Sequence, residues 1–180
     1  MNVGIGIGIG LGTLLGGESP GATYFLRLNG IDEYLKTPSI TFNKIVMDMK
    51  SRAANSTIYL DARSGHSLGY FQKTGTGLDN YGSSISSVKV DGITKTNNTA
   101  IVPFDTKITL EVNFSSTAAD DANIYSNSAG TAVVEGDLYD IKFYNGATLQ
   151  AHYDMSTQSV QDQSGNGNHA TLIGGTFVSE

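Results

Sequence analysis

Cysteine is absent from this chain, so neither a disulfide nor a thiolate metal site can contribute to the fold, and the core must hold it unaided. The compartment stays open on that count. Tryptophan is absent too, and proline occurs only three times. Eleven Lys and Arg stand against 17 Asp and Glu, for a formal charge of −6 and a pI near 4.9, and the cations form no cluster. Such a chain carries no electrostatic footprint for a phosphate backbone, so nucleic acid is not an expected partner. No apolar run is long enough to cross a bilayer as a helix, and no 3.6-residue periodicity of helix length appears.

What is present is glycine and short alternation. Twenty-two glycines and many brief apolar/polar runs describe a chain that turns often and pairs strands, while 180 residues at 39% hydrophobic content close one sizeable core. The class is all-β. Strands are predicted over Tyr24 to Leu28, Tyr34-Leu35, Ile40 to Met49 with a bulge, Ile58 to Arg63, Leu68 to Phe71, Val88 to Gly92, Ile108 to Phe114, Ile124-Tyr125, Thr131 to Val134, Leu138 to Tyr144 and Leu149 to Met155. The clearest is Ile108 to Phe114, with Ile108, Leu110, Val112 and Phe114 inward and Thr109, Glu111 and Asn113 outward. So many short strands at hairpin spacing favour two packed sheets.

The first residues differ in kind. Met1 to Gly12 alternates glycine with Val3, Ile5, Ile7, Ile9 and Leu11. The stretch lacks the basic start of a secretory signal, the first cation being Arg27, so export through it is not expected. Extended, it sets its apolar side chains on one face and bare backbone on the other, a shape suited to strand addition onto another chain. The readings that stay open are a docking strand for a partner or a second copy, the first strand of the domain, or a segment held only by a lattice contact. Residues 1–21 are read as docking tail and linker, closing with Gly16-Gly17-Glu18-Ser19-Pro20-Gly21, and 22–180 as the domain.

Three phrases carry a resemblance: Leu28-Asn29-Gly30-Ile31-Asp32-Glu33-Tyr34-Leu35, Gly136-Asp137-Leu138-Tyr139-Asp140-Ile141, and Asp162-Gln163-Ser164-Gly165-Asn166-Gly167-Asn168. Together they resemble the laminin-G-like branch of the concanavalin A-like jelly rolls. That resemblance implies a sandwich of two antiparallel sheets over about residues 22 to 178. In the family the Asn/Gly loop comes near the start; here it follows the Gly136 strand, as in a circular permutation, which predicts that the first and last strands of the domain are neighbours. The Gly-Ile-Gly-Ile start also resembles the attachment peptides of some tailed-phage structural proteins.

Candidate chemistry is sparse. The Asp162 to Asn168 loop gathers hard oxygens, and some relatives bind calcium there, with Asp162 and Asn166 as first ligands here and Asp140 or Asp154 reachable only if the fold brings them near. The alternative is a turn in which Asn and Gly supply positive φ and local hydrogen bonds. No cofactor is required. Carbohydrate binding, frequent in the family, needs an aromatic platform; without tryptophan the candidates are Tyr70, Tyr81 and Tyr125, in Gly/Ser/Asn-rich surroundings, against the reading of each as edge-of-core packing. One of the two longest polar segments, Gly75 to Ser87 or Ser115 to Gly130, is expected to form any binding rim. The family's glucan-cleaving members carry Glu-x-Asp-x-Glu strands, and none occurs here: Glu111-Val112-Asn113 lacks the Asp, and Glu135-Gly136-Asp137 is read as a turn. His66, His152 and His169 have no zinc spacing, and no nucleophile-elbow phrase is present.

The expected protein is therefore no enzyme. It is a virion structural component, of decoration, head-fibre or tail-associated type, assembled in the host cytoplasm, docked to other structural proteins or its own copies through residues 1–15, and presenting a lectin-like jelly roll toward cell-surface polysaccharide. The alternative is a bacterial carbohydrate-binding or adhesin module, extracellular or on the cell surface; a glycoside hydrolase is the third class.

Overall fold

A computed structural model of the chain describes residues 23–53, 57–63, 68–74, 79–82, 84–99 and 102–180. The tail residues Val3, Ile5, Ile7, Ile9 and Leu11, together with His66 and Gly75-Thr76-Gly77, lie outside the described residues. The strands are β1 (Tyr24–Asn29), β2 (Tyr34–Lys36), β3 (Ile40–Ser51), β4 (Thr57–Ala62), β5 (Gly69–Lys73), β6 (Asp79–Tyr81), β7 (Ile85–Val90), β8 (Ile93–Lys95), β9 (Lys107–Asp120), β10 (Asn123–Ile124), β11 (Glu135–Asn145), β12 (Thr148–Asp154), β13 (Thr171–Ile173) and β14 (Thr176–Ser179), with one 3₁₀ turn at Met155–Thr157. Two antiparallel sheets pack as a jelly-roll-like sandwich. The larger runs β14-β1-β11-β3-β9-β7-β8, with β12 sharing the β1 edge of β11; the smaller runs β13-β2-β10-β4-β5-β6.

Alternation builds the core. Met49 faces Ile108, Met47 faces Leu110 and Ile45 faces Val112 across β3 and β9, so the inward residues of neighbouring strands form continuous apolar rows. Phe42 stands edge-on to both Phe114 and Phe143, at 5.5 and 5.1 Å between centroids, and Tyr59 packs against Phe71 from the smaller sheet. Each fully buried Leu, Met or Phe contributes about 1.5–3 kcal/mol, which is how a chain without disulfides stays folded.

Several boundaries differ from the sequence reading. The expected irregularity opposite β3 is present, but β9 carries the extra residues: Phe42 faces Ala118 and Lys44 faces Asn113. Ser115 to Asp120 continues β9 instead of forming a polar rim, and Glu135-Gly136-Asp137 opens β11 instead of turning. Thr131 to Val134 is no strand; Val133 makes only an isolated bridge to Ser126. The short strands β6, β8 and β13 have no counterpart in the sequence reading, and of β14 only the return of the C-terminal segment to β1 is anticipated.

The expected neighbourhood of first and last strands is found. Tyr24 to Arg27 pairs antiparallel with Ser179 to Thr176, and the Glu180 N–H donates to the Thr23 carbonyl at 2.8 Å. At the far edge of the smaller sheet the Asn97 side chain accepts from the Tyr81 N–H at 3.0 Å and donates to its carbonyl at 3.3 Å. An amide thereby replaces a strand and closes an edge open to further pairing.

Candidate functional site

Asp162 organises the Asn/Gly loop between β12 and β13. Its Oδ1 accepts the His152 and Ser164 N–H groups at 2.9 and 2.8 Å, and its Oδ2 accepts the Ser164 hydroxyl at 2.8 Å and the Asn168 N–H at 2.9 Å. Burial pushes the carboxyl up, but these four donors outweigh it and hold it below the usual carboxylate range. Asn166 turns its Nδ2 to the Leu149 and Gln150 carbonyls at 3.1 and 3.0 Å, while Gly165 and Gly167 adopt φ of 87° and 75°. The carboxylate that was the first candidate calcium ligand thus spends both oxygens on N–H and O–H donors, as a turn-bracing residue does. Asp140 pairs with Lys142 and with His152 Nε2 at 2.5 and 2.6 Å, and Asp154 accepts the Ser156 N–H at the start of the 3₁₀ turn. Among the described residues no three His, Asp or Glu gather as a metal site. His169 accepts the Asp162 N–H on Nδ1, so it too serves the loop.

The three candidate tyrosines separate. Tyr125 is fully buried, with its hydroxyl donating to the Lys50 and Asp137 carbonyls at 3.1 and 3.0 Å, so it cannot be a surface platform. Its polar sequence neighbours mark the turn that delivers it to the core, not exposure of its own ring. Tyr81 faces Phe71 across β5 and β6 and packs against the core from its margin. Only Tyr70 projects from the outer face of the smaller sheet, under the Arg63 guanidinium, which lies 4.2 Å from its ring centroid. Arg63 is itself held bidentately by the buried Asp61, at 2.7 and 2.5 Å.

Sequence reasoning missed the Asp137 cluster and a cavity. Asp137, fully buried on the outer side of the larger sheet, meets Arg27 at 2.9 Å and Arg52 at 2.9 Å, and Arg52 continues to Asp105 at 3.3 Å. Its partners are distant in sequence, so no local signal marks it. Beside it the bulge between Leu138 and Asp140 sets Tyr139 against Phe25, 5.2 Å between centroids, with the Lys107 ammonium 3.7 Å from the Tyr139 ring centre. The cavity, of about 310 Å³, lies between β4, β5 and the chain at Ala132 and Val133, and is lined also by Thr57, Ile58, Gln72, Lys73 and Thr74. It is a concave, mixed polar and apolar recess on the same sheet as Tyr70, of the kind that receives a small ligand.

The architecture defines an all-β, jelly-roll-like sandwich. No family model matches the chain, no curated protein is significantly similar to it, and no solved structure matches it.

Proposed function

We propose that this chain is a non-enzymatic display module of a phage-like particle, docked through residues 1–15 and presenting a laminin-G-like sandwich whose surface contacts cell-surface glycan. The observation that carries the reading is the pairing of β1 with β14, closed by the Glu180–Thr23 hydrogen bond. β1 begins at Tyr24 beside β14, the edge strand of the larger sheet, so a leader continuing from it would hold the module by one corner. The exposed large hydrophobics of the described residues are Ile31 and Phe104, in two separate connections, and Ile93, at the start of the edge strand β8. The strongest apolar docking element is therefore the glycine-spaced row Val3, Ile5, Ile7, Ile9 and Leu11. On the ligand side, the reading draws on the recess and on the Arg63–Tyr70 pair of the smaller sheet.

Removal of residues 1–15 tests it. The expected product is a folded, monomeric domain with an unchanged melting temperature that no longer associates with its copies or co-sediments with its particle. A free-standing carbohydrate-binding module, the alternative reading, predicts that association is the same with and without the leader, and that result would overturn docking. A glycan array probed with the full chain, with and without chelator, tests the ligand side.

A further inference from the structure

The recess on the smaller sheet has an inner floor and an outer rim. Thr57 pairs with Lys73 and Ile58 with Gln72 across β4 and β5. Because Phe71 packs into the core, alternation places Lys73 on the inner side with Thr57, and Gln72 with Ile58 on the outer side. Lys73 is only 7% exposed, and its ammonium donates to the Val102 carbonyl at 3.1 Å. None of the ion pairs among the described residues includes it. The Thr57 hydroxyl oxygen is buried without a hydrogen-bond partner. A buried cation without a counter-charge and a buried hydroxyl without a partner both oppose folding, and both become favourable when something brings an anionic acceptor to them.

We propose that this recess is a subsite for one acidic sugar, a uronic acid unit, which deepens the glycan-contacting reading above and rests on it. Its carboxylate pairs with the Lys73 ammonium and accepts the Thr57 hydroxyl. Its ring hydroxyls meet the rim at Gln72 and Thr74, and its C–H face lies on Ile58 and Val133. A volume of about 310 Å³ suits a single ring, at the lower end of the roughly 300–1,000 Å³ typical of ligand sites. The charge of the floor makes the selectivity: a neutral hexose offers the same ring and hydroxyls but nothing to neutralise Lys73.

Titrating the full chain with sodium glucuronate and with glucose, followed by backbone amide shifts, tests the subsite. Expected are saturable shifts at β4, β5 and Ala132–Val133 with glucuronate, and binding of glucose about tenfold weaker or more. Lys73→Met removes the charge with similar bulk and abolishes the preference. Gln72→Glu, on the outer rim away from the core, weakens glucuronate binding several-fold at an unchanged melting temperature and keeps the test valid if the Lys73 variant misfolds. Equal affinity for the two sugars, absence of glucuronate shifts at these residues, or a Gln72→Glu protein that binds glucuronate as before would overturn the subsite. An array positive for other glycans alongside silent glucuronate overturns the subsite alone; a wholly silent array overturns the glycan reading as well.

Discussion

Tyr125 shows how much one side chain can settle. It is an aromatic residue with φ of 63°, a conformation that costs a non-glycine residue of order 1 kcal/mol or more. The structure holds it there by two hydroxyl hydrogen bonds, by its N–H donating to the Tyr59 carbonyl at 2.9 Å, and by a ring lying flush on Gly136. A Cβ at Gly136 would stand 2.3 Å from the ring's Cε1. Gly136→Ala should therefore cost about 2–4 kcal/mol in denaturant unfolding, because either the ring or β11 has to move. Gly92→Ala is the contrast: its φ of 77° is strained for alanine, yet no atom lies within 4 Å of the new methyl, so about 1 kcal/mol is expected. Equal losses at the two positions would mean that the Tyr125 contact is not what fixes Gly136.

Among the connecting elements the loop from β12 to β13 makes the sharpest claim. Four donors converge on one carboxylate, so Asp162→Ala should unfold the chain more easily by about 2–4 kcal/mol, each charge-assisted bond contributing about 1.5–3 kcal/mol less the new exposure. The melting temperature of the unsubstituted chain should be the same in excess calcium and in chelator; a rise with calcium would replace the bracing role by a metal site. How far these elements were legible depends on where their information lies. Ile108 to Phe114 declared itself because one face is buried along its whole length, whereas its continuation from Ser115 to Thr117 is exposed on both faces and carries no period to read. The strands β6, β8, β13 and β14 are three or four residues long, with their pairing supplied by partners elsewhere in the chain. Glu135-Gly136-Asp137 read as a turn because a charged residue beside glycine usually is one. Its burial depends on Arg27 and Arg52, 110 and 85 residues away. The recess was illegible for the same reason, since Thr57, Lys73 and Val133 stand far apart in the sequence and meet only in the folded chain.

At the scale of the whole molecule, buried titratable groups set the pH limits of the fold. Burial pushes the Asp137 carboxyl up, but hydrogen bonds and charge from Arg27 and Arg52 overcome it and leave it below its ordinary value; Asn113 and Lys89 lower Glu111, and the loop donors lower Asp162. An acid whose folded pKa is depressed contributes stability above its unfolded value and loses it as pH falls through the folded one. Stability should thus decline below about pH 4, where Asp137 and Asp162 have their unfolded reference of 3.8. Asp137→Asn, which leaves Arg27 and Arg52 facing a neutral amide, should lower the melting temperature at pH 7 and shrink its fall between pH 5 and 2. The alkaline limit has the opposite sign. Burial pushes the Tyr139 phenol up to about 12, and raises Tyr125 and Tyr153 as well. A raised phenol leaves stability intact below the unfolded value of 10.0 and drains it as pH climbs beyond, because the unfolded chain ionises first. Melting temperature against pH should accordingly form a plateau from about 4 to about 10. Three of the nine tyrosines should yield phenolate absorbance only above that range or with unfolding. All nine ionising together near pH 10 in the folded protein would show that these rings are not sealed in the way the sandwich requires.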